Sequence, residues 1–253
     1  DSRSSYTQRI MRLILFDVYG TLIDSKAIIH ESMRLTFQRW GYDEPSCEAT
    51  RGLIGLTLDS AIASLLGRDI DDETLAMVSD YKDIYLQLSR QPEMQSLPFA
   101  GITAMIDRLA RRSDVMLGLA TGKSRRGVSR MLETPHFSGR FAVSRCADDC
   151  PSKPHPAMVL ECCDEAGISP SRTLVVGDTS FDMEMASAAR ATGLGVSWGN
   201  HPTGHMLSAG ACAVAHSSPA LQKMVDDWLD GVSFDEAAES ASFFQGVQAI
   251  QYA

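Results

Sequence analysis

The chain has 253 residues, 44% hydrophobic and 22% charged, so it can bury a core of its own without metal or disulfide staples. Its formal net charge is −9 and no run of five like charges occurs, which argues against duplex nucleic acid as a partner. No apolar run approaches the ~20 residues of a membrane helix, so no helical membrane span is expected.

Residues 1–10 stand ahead of the first strand-like run and include Ser2, Arg3, Ser4, Ser5, Thr7 and Arg9. They read either as the remnant of a processed Arg/Ser-rich transit peptide or as an ordinary extension. Leu13-Ile14-Leu15-Phe16 is a short apolar run ending in Asp17, the pattern of a buried parallel strand. From 27 to about 40 the pattern is helical, with Ile28, Met33, Leu35 and Phe37 among polar residues. Residues 53–66 and 75–88 repeat that character, and no strand signal is clear between 26 and 90. Pro92, Pro98 and Gly101 mark a linker over 92–101. The texture then alternates. Helices are expected at 102–111, 125–133, 156–166 and 181–191, and strands at 115–120, 141–143, 173–176 and 194–196.

Alternation of this kind implies an α/β fold with a parallel sheet. One strand, some seventy helical residues and then the remaining β/α units imply a helical insertion over the C-terminal edge of the sheet, where ligands bind in open α/β folds. The expected organisation is an N-terminal extension at 1–10, a core at 11–25 and 95–228, a helical cap at 26–94 and a C-terminal extension at 229–253. That last segment carries Phe234, Phe243, Phe244 and Tyr252, and is expected to pack on the domain or to dock elsewhere. Six cysteines, Cys47, Cys146, Cys150, Cys162, Cys163 and Cys212, form no C-x-x-C pair. They are expected to be free thiols in a reducing intracellular compartment.

Four segments carry chemistry, each following an expected strand or opening a helix. They are Asp17-Val18-Tyr19-Gly20-Thr21, Ala120-Thr121-Gly122-Lys123-Ser124, Lys153-Pro154-His155-Pro156 and Gly177-Asp178-Thr179-Ser180-Phe181-Asp182. An aspartate on a tight turn at a strand end can attack phosphorus and give an aspartyl phosphate. The attack needs the phosphate charge neutralised. A lysine and a hydroxyl-bearing turn do part of this, and Mg2+ held by carboxylates does the rest. Asp17, Thr121, Lys153 and Asp178 are the residue types required, and parallel topology gathers strand ends that are distant in sequence. Each segment alone has a plain reading. Thr179-Ser180-Phe181-Asp182 is also a helix cap, and Lys153-Pro154 is also a surface turn. Their order along the chain is the informative feature.

In that order the four segments resemble the four motifs of the haloacid dehalogenase superfamily over about residues 11–225, with a helical cap of the C1 type. The second, third and fourth are similar to the phosphoglycolate-phosphatase-like branch. The resemblance implies a Rossmann-like parallel sheet core with an inserted helical cap. It implies Asp17 as nucleophile, Thr121 and Gly122 as phosphate binders, and Lys153 as charge stabiliser. It further implies Mg2+ on Asp17, Asp178 and the Tyr19 main-chain carbonyl, with Asp182 as a supporting carboxylate. The cap residues Arg51 and Gly55 fall where such caps present a substrate-facing loop.

Tyr19 departs from the pattern. Phosphatases of the superfamily carry Asp there, which protonates the leaving alcohol and then activates water. Tyrosine, with an ordinary pKa of ~10, is a poor base at neutral pH, and general acid–base help is worth ~10²–10⁴-fold. The 2-haloacid dehalogenase branch does carry Tyr at this place. Three readings follow. The first is a Mg2+-dependent phosphatase acting on a small phosphorylated metabolite and slowed by Tyr19. The second is a catalytically inactive subunit with a structural role in a protein complex engaged through the terminal extensions. The third is a 2-haloacid dehalogenase. The transit-like reading of residues 1–10 points to the mitochondrial matrix, and the alternative is the cytoplasm. His201 and His205 have the i, i+4 spacing of a metal pair but no third ligand at suitable spacing, and His155 reads as a turn residue. Arg125 and Arg126, on an early helical turn after the second motif, read as solvated or packed on the cap, with phosphate steering as the alternative.

Overall fold

The computed structural model describes residues 10–232 and residue 234. Most of the expected leader, together with Phe243, Phe244 and Tyr252, lies outside the described residues.

The first strand, β1 (Arg12–Phe16), is flanked by β4 (Val115–Ala120) and β6 (Thr173–Gly177). Outside them lie β5 (Val143–Arg145) beside β4, then β7 (Thr192–Val196) and β8 (Ala213–Ala215) beyond β6. The six strands form one sheet in the order β5-β4-β1-β6-β7-β8, and every pairing is parallel. The side chains of β1 alternate between two cores. Ile14 and Phe16 join the cluster built with Ile106, Leu109 and Val225 on one face. Leu13 and Leu15 join Met158, Cys162 and Met185 on the other. A strand buried on both faces reads as a continuous apolar run, which is why β1 shows so plainly in the sequence.

Helices cover both faces: α5 (Ile102–Ala110), α6 (Arg125–Leu132), α7 (Ala157–Ala166), α8 (Ser180–Ala188), α9 (Thr203–Ser208) and α10 (Ser218–Asp230). Phe234 packs against the first core cluster, so the start of the C-terminal segment lies on the domain. The six cysteines are unpaired, and four of them are buried.

The helical insertion leaves and re-enters through a two-stranded antiparallel ribbon, β2 (Ile23–Asp24) with β3 (Leu97–Pro98). Between them lie α1 (Lys26–Arg39), α2 (Cys47–Arg51), α3 (Leu58–Leu66) and α4 (Asp72–Leu88). Met33, Phe37, Ile62, Met77 and Tyr81 give this cap a small core of its own.

Several details differ from expectation. The helix expected at 53–66 starts only at Leu58, because residues 52–57, which include Gly52 and Gly55, form a loop. The strand expected at 141–143 lies at 143–145, with Ala142 already donating to the Leu117 carbonyl at 2.8 Å as the chain enters it. The ribbon strands are two residues each, too short to show a period.

Candidate active site

The three central strands deliver the site. Asp17 follows β1, Thr121 follows β4 and Asp178 follows β6. All three therefore reach the carboxyl edge where the strand order turns back on itself, the binding crevice of an open α/β sheet. Each is essentially buried.

Lys153 comes in from the segment before α7. Its ammonium donates to Asp17 Oδ1 and to Asp182 Oδ1, both at 2.6 Å. Asp182 sits in the first turn of α8 as one half of a capping box. Thr179 N and Oγ1 donate to its Oδ2 at 3.1 and 2.6 Å, and Thr179 Oγ1 accepts from Asp182 N. The plain cap and the site are thus the same structure, with one carboxylate oxygen closing the helix and the other holding the lysine. Asp178 Oδ1 accepts from Thr21 Oγ1 at 3.0 Å, and its Oδ2 accepts from both the backbone N and Nδ2 of Asn200 at 2.7 Å.

Asp17, Asp178 and Asp182 each present an oxygen within 4.8 Å of the others. One lysine against three buried carboxylates leaves this floor short of positive charge. Burial, offset in part by Lys153 and reinforced by Asp182, raises Asp17 above the usual carboxylate range. Burial, with repulsion from Asp17 and Asp182, raises Asp178 further. Burial works against the Lys153 ammonium, but Asp17 and Asp182 outweigh it and hold its pKa above the ordinary lysine value. Asp17 Oδ2 is buried with no hydrogen-bond partner. An acidic oxygen-rich cluster with an orphaned carboxylate oxygen fits a hard divalent cation such as Mg2+.

The backbone makes room for this packing. Gly20 has φ +85°, and a Cβ there would lie 2.2 Å from Asp178 Oδ2, so both the conformation and the space demand glycine. Gly122 meets the cap instead. A Cβ on it would lie 2.5 Å from the Leu56 carbonyl, so the 52–57 loop rests directly on the second motif.

That loop is held by further contacts. Thr57 N donates to Ser152 Oγ at 2.9 Å, and the Gly52 carbonyl meets His201 Nε2 at 3.2 Å. Arg51 donates to the Asn200 carbonyl at 3.3 Å, tying the cap to the residue that holds Asp178, and is not among the cavity-lining residues. Gly55 does line the cavity, and it packs over Thr179. His201 Nδ1 accepts from Ser180 N at 3.1 Å while His205 stays exposed, so the two histidines share no site.

Between cap and core lies a cavity of about 880 Å3. Asp17, Thr121 and Gly122 form part of its wall, and apolar cap residues such as Ile29, Met33, Ile54 and Leu56 form another. Tyr19 lines it too, with its side chain committed to the cap. Its hydroxyl donates to Tyr85 Oη of α4 at 3.0 Å and accepts from the Lys123 ammonium, which lies 4.0 Å from the Tyr19 ring centre. Burial and then the neighbouring Tyr85 push the Tyr19 phenol well above its ordinary value. Burial and then repulsion from Arg130 bring Lys123 down to about 7. Motif reading passed over Tyr85, Asn200 and Thr21. Lys123 stood inside the second motif but received no role, although its place straight after Thr121-Gly122 signalled its position.

Comparison with known proteins agrees with this geometry. Residues 14–196 match the family described as haloacid dehalogenase-like hydrolase. The chain is 29% identical over 199 residues to "Probable phosphatase IndB" of Dickeya dadantii, covering 78% of this chain and 86% of that one. It is 27% identical to a phosphoglycolate phosphatase of Pseudomonas putida over 75% and 71% of the two chains. It is 25% identical to an N-acetylmuramic acid 6-phosphate phosphatase of Pseudomonas aeruginosa over 85% and 95%. Among solved structures, a hydrolase from Pseudomonas syringae superposes with a TM-score of 0.75 at 22% identity, covering 86% of this chain and 98% of that one.

Proposed function

The chain belongs to the haloacid dehalogenase-like hydrolase family, and we propose that it is a Mg2+-dependent phosphomonoesterase whose second chemical step is slow. The observation that carries this reading is the floor of the site: three buried carboxylates around one lysine, with Asp17 Oδ2 free of partners. Similarity to enzymes named as phosphatases supports the reaction class.

Asp17, Asp178 and the Tyr19 main-chain carbonyl are the groups that would hold Mg2+, with Asp182 supporting. When bound, the ion supplies charge neutralisation for the phosphoryl group. Lys153 adds a buried positive charge beside Asp17, and Thr121 and Gly122, on the wall shared with Asp17, hold the phosphate oxygens. In the first step an Asp17 oxygen bonds to phosphorus as the ester P–O bond breaks, and the electron pair leaves on the alkoxide. In the second, water attacks phosphorus and releases Asp17. That step needs a base, and Tyr19 is not one. Its phenol is held far above neutrality and is bonded to Tyr85 and Lys123. Tyr19 offers the leaving alkoxide no ready acid either, so the aspartyl phosphate accumulates where the leaving group needs no proton.

p-Nitrophenyl phosphate separates the steps, because its leaving group needs no proton. The native chain with Mg2+ is expected to release a burst of p-nitrophenolate stoichiometric with protein, followed by slow turnover. Tyr19→Asp raises the steady rate by ~10²–10⁴-fold, and Asp17→Asn abolishes the burst. A native chain that behaves like Asp17→Asn, with no burst, sinks the proposal.

One observation favours a second reading, that of a subunit without turnover. The Tyr19–Tyr85 contact bridges core and cap, as a structural tie would. In that case Tyr19→Asp gains activity while the native chain shows neither burst nor turnover. The dehalogenase reading rests on Tyr19 alone and draws nothing from the acidic cluster.

A further inference from the structure

The α6 wall of the cavity carries more positive charge than the chemistry at Asp17 uses. Lys123, Arg126 and Arg130 follow at intervals of three and four, which places them along one side of α6 and its lead-in turn. All three line the cavity. Arg125, one position away, does not line it. Its guanidinium is engaged by Ser144 Oγ at 2.7 Å and by the Asp149 carboxylate.

Among the described residues, neither Lys123, Arg126 nor Arg130 has a carboxylate within ion-pair distance. Asp148, the nearest acidic residue in sequence on the cavity wall, accepts from the Arg125 backbone N at 2.7 Å. The half-buried Lys123 finds only phenol groups, Tyr19 at its ammonium and Tyr85 with its ring centre 5.6 Å away. The two arginines keep their heads wet, so they cost the fold little. What is informative is their place with Lys123 on one wall of a half-open cavity, in a chain whose formal net charge is −9.

The cavity is also large for a two-carbon phosphate ester. At about 880 Å3 it lies near the upper end of the ~300–1,000 Å3 range of pockets that enclose drug-sized ligands. Ile54, Leu56 and Tyr85 offer apolar surface along its side.

We infer that Lys123, Arg126 and Arg130 form a second anion subsite, so that the substrate is a phosphomonoester whose sizeable organic body carries a further anionic group remote from the transferred phosphoryl. The inference rests on the phosphomonoesterase reading of the same site and narrows its substrate class.

Non-hydrolysable phosphonates test it by titration calorimetry with Mg2+ present. Alkylphosphonates of increasing chain length are compared with partners of equal length that end in a carboxylate, and with a second set that end in a sulfonate. At the matching length the doubly anionic ligand binds the native chain about tenfold more tightly than its singly anionic counterpart. In Arg126→Gln/Arg130→Gln that ratio falls to near one, and in Arg125→Gln it is kept. The stronger of the two terminal groups identifies the second anion. If no chain length gives a ratio above one, or if the double variant keeps the native ratio, the subsite is overturned while the phosphatase reading stands. If no phosphonate binds the native chain at all, both are overturned.

Discussion

The floor of the site, which meets the cavity at Asp17, and the cavity's side wall are opposites in charge. The floor holds Asp17, Asp178 and Asp182 against one lysine, and Asp17 and Asp178 are pushed upward by burial and by the neighbouring carboxylates. The side wall holds Lys123 with Arg126 and Arg130 and no paired acid among the described residues, and Lys123 is pushed downward. Asp17 of the floor and the three cations of the wall line one cavity, and among the described residues no ion pair joins them. A fold selected only for stability would pair them. On the proposed reading, the imbalance suits the floor to a cation and a phosphoryl group, and the wall to a second anion.

The largest expected effect breaks the floor. Lys153→Met removes the one positive charge from a fully buried cluster and leaves Asp17 and Asp182 uncompensated. A loss of about 3–5 kcal/mol is expected at neutral pH, read by urea denaturation, together with loss of the p-nitrophenolate burst. A variant of native stability would show that the carboxylates are not short of positive charge.

A smaller effect runs the other way. Asp178 is raised to about 8 by burial, then by Asp17 and Asp182. Its folded pKa lies above its unfolded one, so its favourable contribution is complete below the ordinary carboxylate range and is lost as pH rises toward about 8. In chelator, Asp178→Asn should therefore gain on the native chain as pH rises, by on the order of 1–3 kcal/mol at the alkaline end. Mg2+ should close that gap by stabilising the native chain alone. Parallel pH profiles in chelator would contradict the floor's charge deficit.

The smallest effect touches the join between floor and wall. Tyr85→Phe deletes the hydrogen bond from Tyr19 and leaves the ring contacts in place. A loss of about 0.5–1.5 kcal/mol is expected, with the burst retained. A lost burst would mean that the Tyr19–Tyr85 tie shapes the site itself.

The floor was legible in the sequence and the wall was not, for a physical reason. Asp17, Thr121 and Asp178 follow β1, β4 and β6 directly, and strands buried on both faces announce themselves as apolar runs. Their loops could thus be placed before any contact was known. The partners of Tyr19 depend on how cap and core meet, and Tyr85 lies 66 residues along the chain in a helix whose buried side faces the cap's own core. Asn200 joins Asp178 from the loop beyond β7, with no local pattern to mark it. The outer strand β8 has three small residues, and α10 reveals its packed side only through Leu221, Val225 and Trp228. Short edge elements carry too few residues to show a period.

In the proposed mechanism Asp17 takes the phosphoryl group and keeps it, because Tyr19 supplies no base for its release. Intact-mass measurement after rapid quenching of the native chain with p-nitrophenyl phosphate and Mg2+ tests this most directly. One phosphoryl group per chain is expected, located on Asp17, absent from Asp17→Asn and short-lived in Tyr19→Asp. A native chain that stays unmodified at every quench time would contradict it.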